Sequence, residues 1–196
     1  EGMYGYSFDK PARHMREYLS ILLPLLREGK TGFQGETMKG FGQLHTGDTP
    51  STPVVLAGLG PIMLNLAGAV ADGTVTWMTG PKTVADHIAP SIAKAAADAG
   101  RDAPRIVVAL PTAVTDDPAA AKEKAASVFS IYGQLPSYRA MLDREGAAGP
   151  ADVVIAGSEA EVKGQIEGVL EAGATEFVAV PFDDDERTLD LVASML

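Results

Sequence analysis

No cysteine occurs in the chain, which removes disulfides, thiolate nucleophiles and thiolate metal sites together. Histidine is scarce: His14, His45 and His87 are scattered, with no metal-ligand spacing among them. There is no basic run to release counterions from a nucleic-acid backbone, and a formal charge of −10 opposes such a partner. The longest apolar stretches fall far short of a membrane span, and no signal peptide opens the sequence. These absences point to a cytoplasmic protein without metal, nucleic-acid partner or membrane contact. What is present is ordinary for a globular protein: 196 residues, 46% hydrophobic, mean hydropathy near zero, enough for one good core. Glu1 in place of an initiator methionine is what a processed chain or a fragment would show.

The most informative stretch is Pro53-Val54-Val55-Leu56-Ala57-Gly58-Leu59-Gly60-Pro61-Ile62-Met63-Leu64. Val54 to Leu56 is a short apolar run rich in β-branched residues, as in a parallel strand buried on both faces. Two glycines one residue apart follow, then Pro61, a residue at home in the first position of a helix. Leu64, Ala67 and Ala71 continue at helical spacing. A strand, a bare glycine turn and a helix start gather free backbone N–H groups at one point, an anion site whose commonest tenant is a phosphate. The bland alternative is a tight connection that binds nothing. Two better-known phosphate motifs are excluded. A dinucleotide fingerprint lacks its third glycine, since Met63 stands there, and Asp72 comes too early for the acidic residue. A Walker loop lacks its Lys-Ser/Thr, since Pro61-Ile62 stands there.

In chain order, Glu1 to Phe8 reads as a loop and Pro11 to Glu28 as a helix with Met15, Tyr18, Leu19, Leu22 and Leu26 on one face. Pro24 should loosen its last turns. Residues 31–52 form an irregular excursion with a short hairpin at Gly35-Glu36. After the glycine turn, Thr74 to Met78 is a second strand, and Thr79-Gly80-Pro81 repeats the exit of the first. Val84, Ile88, Ile92 and Ala96 form the next buried stripe, capped by Gly100. Arg105 to Leu110 is the third strand. Helices follow from Asp117-Pro118 to Phe129, from Pro136 to Glu145, and after a capping box at Ser158 and Glu161, with Val162, Ile166, Val169 and Leu170 inward. Glu176 to Val180 is the fourth strand and Thr188 to Leu196 the last helix. Strand and helix alternating four times is α/β with a parallel sheet, either doubly wound or an arc of a (β/α)8 barrel. Gly58–Pro61, Trp77–Pro81 and Pro181–Asp183 would gather on the C-terminal rim of a barrel, which favours that form.

These residues resemble a known family. Val54 to Pro61, with Ala67-Gly68 and Ala71-Asp72-Gly73, resembles the fifth strand and following helix of luciferase-like monooxygenase-fold proteins, and most of all their coenzyme F420-dependent branch. Arg16-Glu17-Tyr18, Gly35-Glu36, Ala99-Gly100-Arg101, Tyr132 with Leu135 to Arg139, and Ala172 to Thr175 extend the match over nearly the whole chain. The resemblance implies a (β/α)8 TIM barrel of which this chain, one domain over 1–196, holds the C-terminal half, about strands five to eight. It also implies an oxidoreductase that transfers hydride between the deazaflavin F420 and a small organic substrate. The alternatives are an FMN-dependent monooxygenase of the same fold, or a non-catalytic half-barrel that binds no cofactor. By the same resemblance the cofactor phosphate would sit on Ala57, Gly58, Leu59 and Gly60, with Pro61 and Ile62 beginning the helix that completes the site. Trp77 and Met78 would face the ring or the substrate. A half-barrel leaves strand edges open, so a homodimer or pairing with a missing N-terminal half is expected.

No triad or metal set accompanies this chemistry, and a cofactor of this kind needs none. Trp77, the only tryptophan, fits packing at a strand end as well as a pocket wall. Asp183 to Glu186 reads as solvated charge favouring a helix start rather than a metal site. Arg139 and Arg187 suit the surface or an anionic tail, and His45 lies in the excursion.

Overall fold

The computed structural model describes residues 5, 7–45, 52–183 and 185–195. Two compact units form, Glu1–Val54 and Val55–Leu196. Most of the loop expected over Glu1–Phe8, the end of the 31–52 excursion, Asp184 and Leu196 lie outside the described residues.

In the first unit, α1 (Pro11–Glu28) runs through Pro24 and ends at Gly29, left-handed at φ 71°. The expected hairpin is present as antiparallel β1 (Lys30–Gln34) and β2 (Lys39–Gln43). The buried face of α1 is Glu17, Leu19 and Leu23, and Tyr18, expected inward, is 43% exposed. Glu17 rotates that face. Its carboxylate accepts from the backbone amides of Glu36 (3.0 Å), Thr37 (2.7 Å) and Met38 (2.8 Å) and from the Thr37 hydroxyl (2.7 Å), filling the hairpin turn. A Cβ at Gly35 would overlap it, which explains glycine there. The Thr37 hydroxyl, then the amides and the Arg13 charge, hold the Glu17 carboxyl below its ordinary range. Its contribution to the hairpin is therefore complete above that range and is lost as pH falls through the lowered value. Glu17→Gln is expected to lower the hydrogen-exchange protection of the Thr37 and Met38 amides at neutral pH, and acidification should lower it in the parent once rates are referred to the intrinsic exchange rate at each pH.

The second unit runs β3 (Val55–Ala57), α2 (Pro61–Val70), β4 (Gly73–Trp77) and α3 (Pro81–Thr83). A π turn, Val84–Ile88, leads from α3 into α4 (Ala89–Asp98). Next come β5 (Arg105–Val114), α5 (Pro118–Val128), α6 (Pro136–Glu145), β6 (Ile155–Gly157), α7 (Glu159–Glu171), β7 (Glu176–Pro181) and α8 (Asp185–Ser194). All strand pairs here are parallel: β3 with β4, β4 with β5, and β5 with both β6 and β7. Val107 pairs with Val75 and with Glu176, while Thr112 pairs with Ile155 and with Pro181. A strand residue has one neighbour on each side. So β7 takes one edge of β5, while β4 and then β6 share the other.

β6 is a strand that sequence periodicity does not single out, because three residues are too few for a pattern. β5 runs to Val114, four residues past the expected Leu110, and α8 begins at Asp185 rather than Thr188. Thr188 lies inside α8, buried, accepting from the Val114 amide (3.0 Å). The expected apolar stripes are buried at Leu64, Ala67 and Ala71, at Val84, Ile88, Ile92 and Ala96, and at Val162, Ile166 and Val169, whereas Leu170 is exposed. The expected caps form too: Asp117 accepts from the Ala120 amide (3.0 Å), and the Ser158 amide and hydroxyl donate to Glu161 (2.8 and 2.7 Å).

The two sheet faces differ. Leu56, Thr74, Thr76, Val108 and Leu110 lie on one face and are buried. On the other, Ala57, Val75, Trp77 and Ala109 are only partly covered or exposed, and Val178 is 44% exposed. Strand alternation makes this division. The half-open face is where the site lies.

Candidate functional site

The turn after β3 is held from behind. The Thr74 hydroxyl donates to the Leu56 carbonyl (2.8 Å), with the Gly58 carbonyl 3.3 Å away. His87 Nε2 lies 2.9 Å from the Leu59 carbonyl oxygen. At the front, Gly60 is the N-cap of α2 with Pro61 in the first turn, and the Leu64 amide bonds to the Gly60 carbonyl (3.0 Å). Among the described residues, the amides of Leu59, Gly60, Ile62 and Met63 have no acceptor. A Cβ placed on Gly60 meets no atom within 4 Å. Free amides at a helix N-terminus beside clear space fit a bound anion.

The chain contains its own comparison. Gly80-Pro81 at the exit of β4 is the same device, yet there the Lys82 and Thr83 amides donate to the Glu145 carboxylate (3.1 and 2.7 Å). A Cβ on Gly80 would overlap that carboxylate. One strand exit is thus satisfied by an internal anion and the other is left open. Nothing in the two strings Gly58–Pro61 and Thr79–Pro81 distinguishes them, because the difference is made by Glu145, more than sixty residues away.

In front of the open turn lies a cavity of about 450 Å³. Its walls are Ala57 to Gly60 with Met63, residues 75–77 of β4, Ala109 of β5, and Ser137 and Tyr138 at the head of α6. None of these side chains carries a charge. Trp77 stands edge-on to Phe129 (6.0 Å) and Tyr132 (5.9 Å), and Tyr132 to Tyr138 (4.9 Å). Burial first, then the neighbouring Tyr132, pushes the Tyr138 hydroxyl above its ordinary value, so it stays protonated. The Trp77 indole N–H and the Thr76 hydroxyl are buried without a partner among the described residues, an arrangement that costs roughly 1–3 kcal/mol per group when nothing satisfies it.

Of the expected site residues, Ala57, Gly58, Leu59, Gly60 and Trp77 come together on this cavity. Pro61 and Ile62 begin α2, and the Ile62 side chain is 63% exposed. Met78 does not join them. It is fully buried, with a left-handed φ of 54° that turns the chain out of β4, and that backbone is unusual for a side chain of its size. Tyr138, Ser137, Met63 and His87 were not anticipated as site residues; only the spacing of Phe129, Tyr132 and Tyr138 hints at the aromatic wall. Gly60 has φ −83°, not a left-handed value.

Other charged candidates are engaged elsewhere. Arg139 bonds Asp143 and the Ala147 and Ala148 carbonyls, and Arg187 pairs with Glu159 and Asp116. Asp183 pairs with Lys124 (2.7 Å), while Asp185 and Glu186 occupy the first turn of α8. No metal-holding cluster occurs among the described residues, and no described helix is long and apolar enough to cross a membrane. His45 is exposed in the first unit. A second cavity, about 350 Å³, lies at the opposite strand ends, where Arg101 donates to the Ala71 carbonyl (2.8 Å) and Asp72 (3.2 Å).

The family model for luciferase-like monooxygenases matches residues 1–180. The chain belongs to the luciferase-like monooxygenase family. Among its relatives in this family, the 5,10-methylenetetrahydromethanopterin reductase of Methanolobus tindarius is 29% identical over 80% of this chain and 48% of its own length. The fold matches that of an F420-dependent secondary alcohol dehydrogenase in complex with an F420–acetone adduct, at a TM-score of 0.79 and 20% identity. That match covers all of this chain and 64% of the dehydrogenase. It also matches the oxygenating constituent of 3,6-diketocamphane monooxygenase from the CAM plasmid of Pseudomonas putida in complex with FMN. The TM-score there is 0.63 and the identity 17%, over 90% of this chain and 60% of that one. The chain spans about half the length of the curated relative, and its parallel sheet is a part of this family's TIM barrel.

Proposed function

We propose that this luciferase-like chain carries the phosphate site of an F420-dependent oxidoreductase that transfers hydride between the deazaflavin and a small organic substrate. The observation that carries this reading is the set of four unpartnered amides at the head of α2, opening on an uncharged, aromatic-walled cavity. F420-dependent enzymes among the similar structures support it. When bound, the deazaflavin supplies the hydride chemistry at its C5. The residues here do the rest: Leu59, Gly60, Ile62 and Met63 offer amides to the phosphate, Trp77 and Tyr138 wall the ring side, and the apolar lining keeps water from the reacting carbon.

Among the described residues β3 and β7 each pair with one strand only, and the inner face is half-open. We assign this sheet to about strands five to eight, closed by the remaining strands of the complete protein or by a second copy. FMN is the second reading, because it too carries a phosphate and an FMN-bound monooxygenase shares the fold.

Trp77 reports directly. Titrating the complete protein with F420 is expected to quench its emission by half or more, saturably, and FMN is expected to do so only at higher concentration. A tighter FMN titration would exchange the cofactor assignment. Unchanged Trp77 emission with both ligands, despite binding by another measure, would move the ring out of this cavity.

A further inference from the structure

We infer that His87 is the positioning residue of the anion turn: its Nε2–H holds the Leu59 carbonyl and thereby aims the Gly60 amide at the phosphate. This rests on the phosphate reading of the turn and adds the side chain that orients it. His87 is 8% exposed, and Nε2 lies 2.9 Å from the Leu59 carbonyl oxygen. A carbonyl oxygen only accepts, so Nε2 carries the proton. The C=O and N–H of one trans peptide point in opposite directions. Fixing the Leu59 carbonyl toward His87 therefore turns the Gly60 N–H away from it, and that N–H has no acceptor among the described residues.

The anchor matters because glycine flanks Leu59 on both sides. Gly58 and Gly60 resist rotation least of all residues, so without a tether the Leu59–Gly60 peptide is free to turn its amide off the ligand. His87 reaches the turn from Val84–Ile88, a π turn between α3 and α4. Such single π turns recur at functional sites, where they re-aim a side chain.

The test is calorimetric titration of the complete protein with two ligands, F420 and the same deazaflavin lacking its phosphate. His87→Leu is expected to weaken F420 about tenfold, the equivalent of one net hydrogen bond, while leaving the phosphate-free ligand unchanged. His87→Gln, whose amide N–H can reach the same carbonyl, is expected to recover most of the loss. A His87→Leu variant that binds F420 as the parent does would overturn the inference. So would equal loss of both ligands, which marks a packing role, or failure of glutamine to rescue. Gly60→Val separates this from the reading beneath it. If Gly60→Val loses F420 and His87→Leu does not, only the role of His87 falls. If Gly60→Val keeps F420, the phosphate turn falls and His87 with it.

Discussion

Gly60→Val is expected to weaken F420 binding to the complete protein by about a hundredfold or more, since charge-assisted hydrogen bonds of ~1.5–3 kcal/mol each are lost from at least two amides. The helical CD spectrum and the melting temperature should stay close to those of the parent. Both halves of this expectation come from the same geometry. Gly60 has φ −83° and ψ 159°, values open to any residue, and a Cβ there meets no protein atom within 4 Å. The fold therefore tolerates valine, whose isopropyl group enters the space in front of the Gly60, Ile62 and Met63 amides. Steric exclusion of the ligand is the whole of the expected effect, with no backbone strain at this position. Gly58 is the tighter position: a Cβ there would lie 3.3 Å from the Met63 Cβ and 3.4 Å from the Thr74 hydroxyl. Fluorescence titration beside a thermal melt checks the result, and parent-like affinity for F420 would place the phosphate elsewhere.

Gly68→Leu is expected to cost the second unit roughly 3 kcal/mol or more, by overpacking at a helix contact. Gly68 lies where α2 meets α4. A Cβ on it would stand 2.5 Å from the Ile92 carbonyl oxygen, 2.8 Å from the Ala95 Cβ and 3.0 Å from the Ala96 amide nitrogen. Two of these atoms are backbone, so relief requires the helices to part rather than a side chain to rotate. Gly68→Ala has a smaller effect, because a helix-propensity gain of about 1 kcal/mol offsets part of the overpacking. Set against a typical domain stability of ~5–15 kcal/mol, the leucine variant loses a large share. Urea unfolding of the complete protein measures it. A midpoint equal to the parent's would mean that α2 and α4 do not approach as closely as described. Because α2 also carries the proposed anion turn, a partly folded Gly68→Leu protein should bind F420 weakly, in contrast to Gly60→Val, which stays folded.

Local chemistry was sufficient for much of this architecture. The 3.6-residue spacing of Val84, Ile88, Ile92 and Ala96 marks a buried helix face whatever that helix packs against. Asp117 and the Ser158–Glu161 pair announce helix starts because their bonds close within three residues. The strand, glycine turn and proline of Val55–Pro61 announce a helix N-terminus, because proline at the first helical position is a local signal too. Of the positions that the family resemblance implies, Ala57 to Gly60 and Trp77 line one cavity, while Met78 is fully buried.

What required the folded chain was every feature whose partner lies far along it. Glu17 looks like a solvent-facing acid on a helix until the hairpin turn 20 residues later closes on it. β6, three residues long, is a strand only because β5 extends past β4 and offers Thr112 to Val114 an unpaired side. Gly58–Pro61 and Thr79–Pro81 read alike, and only the arrival of Glu145 at the second makes it the one whose amides are satisfied internally. His87 reads as one of three scattered histidines until the π turn brings its ring to Leu59. Sequence pattern shows what a residue prefers within a few positions of itself, and tertiary packing decides which donors and acceptors are already spent. For a helix N-terminus with unpartnered amides, that second quantity is the one that matters.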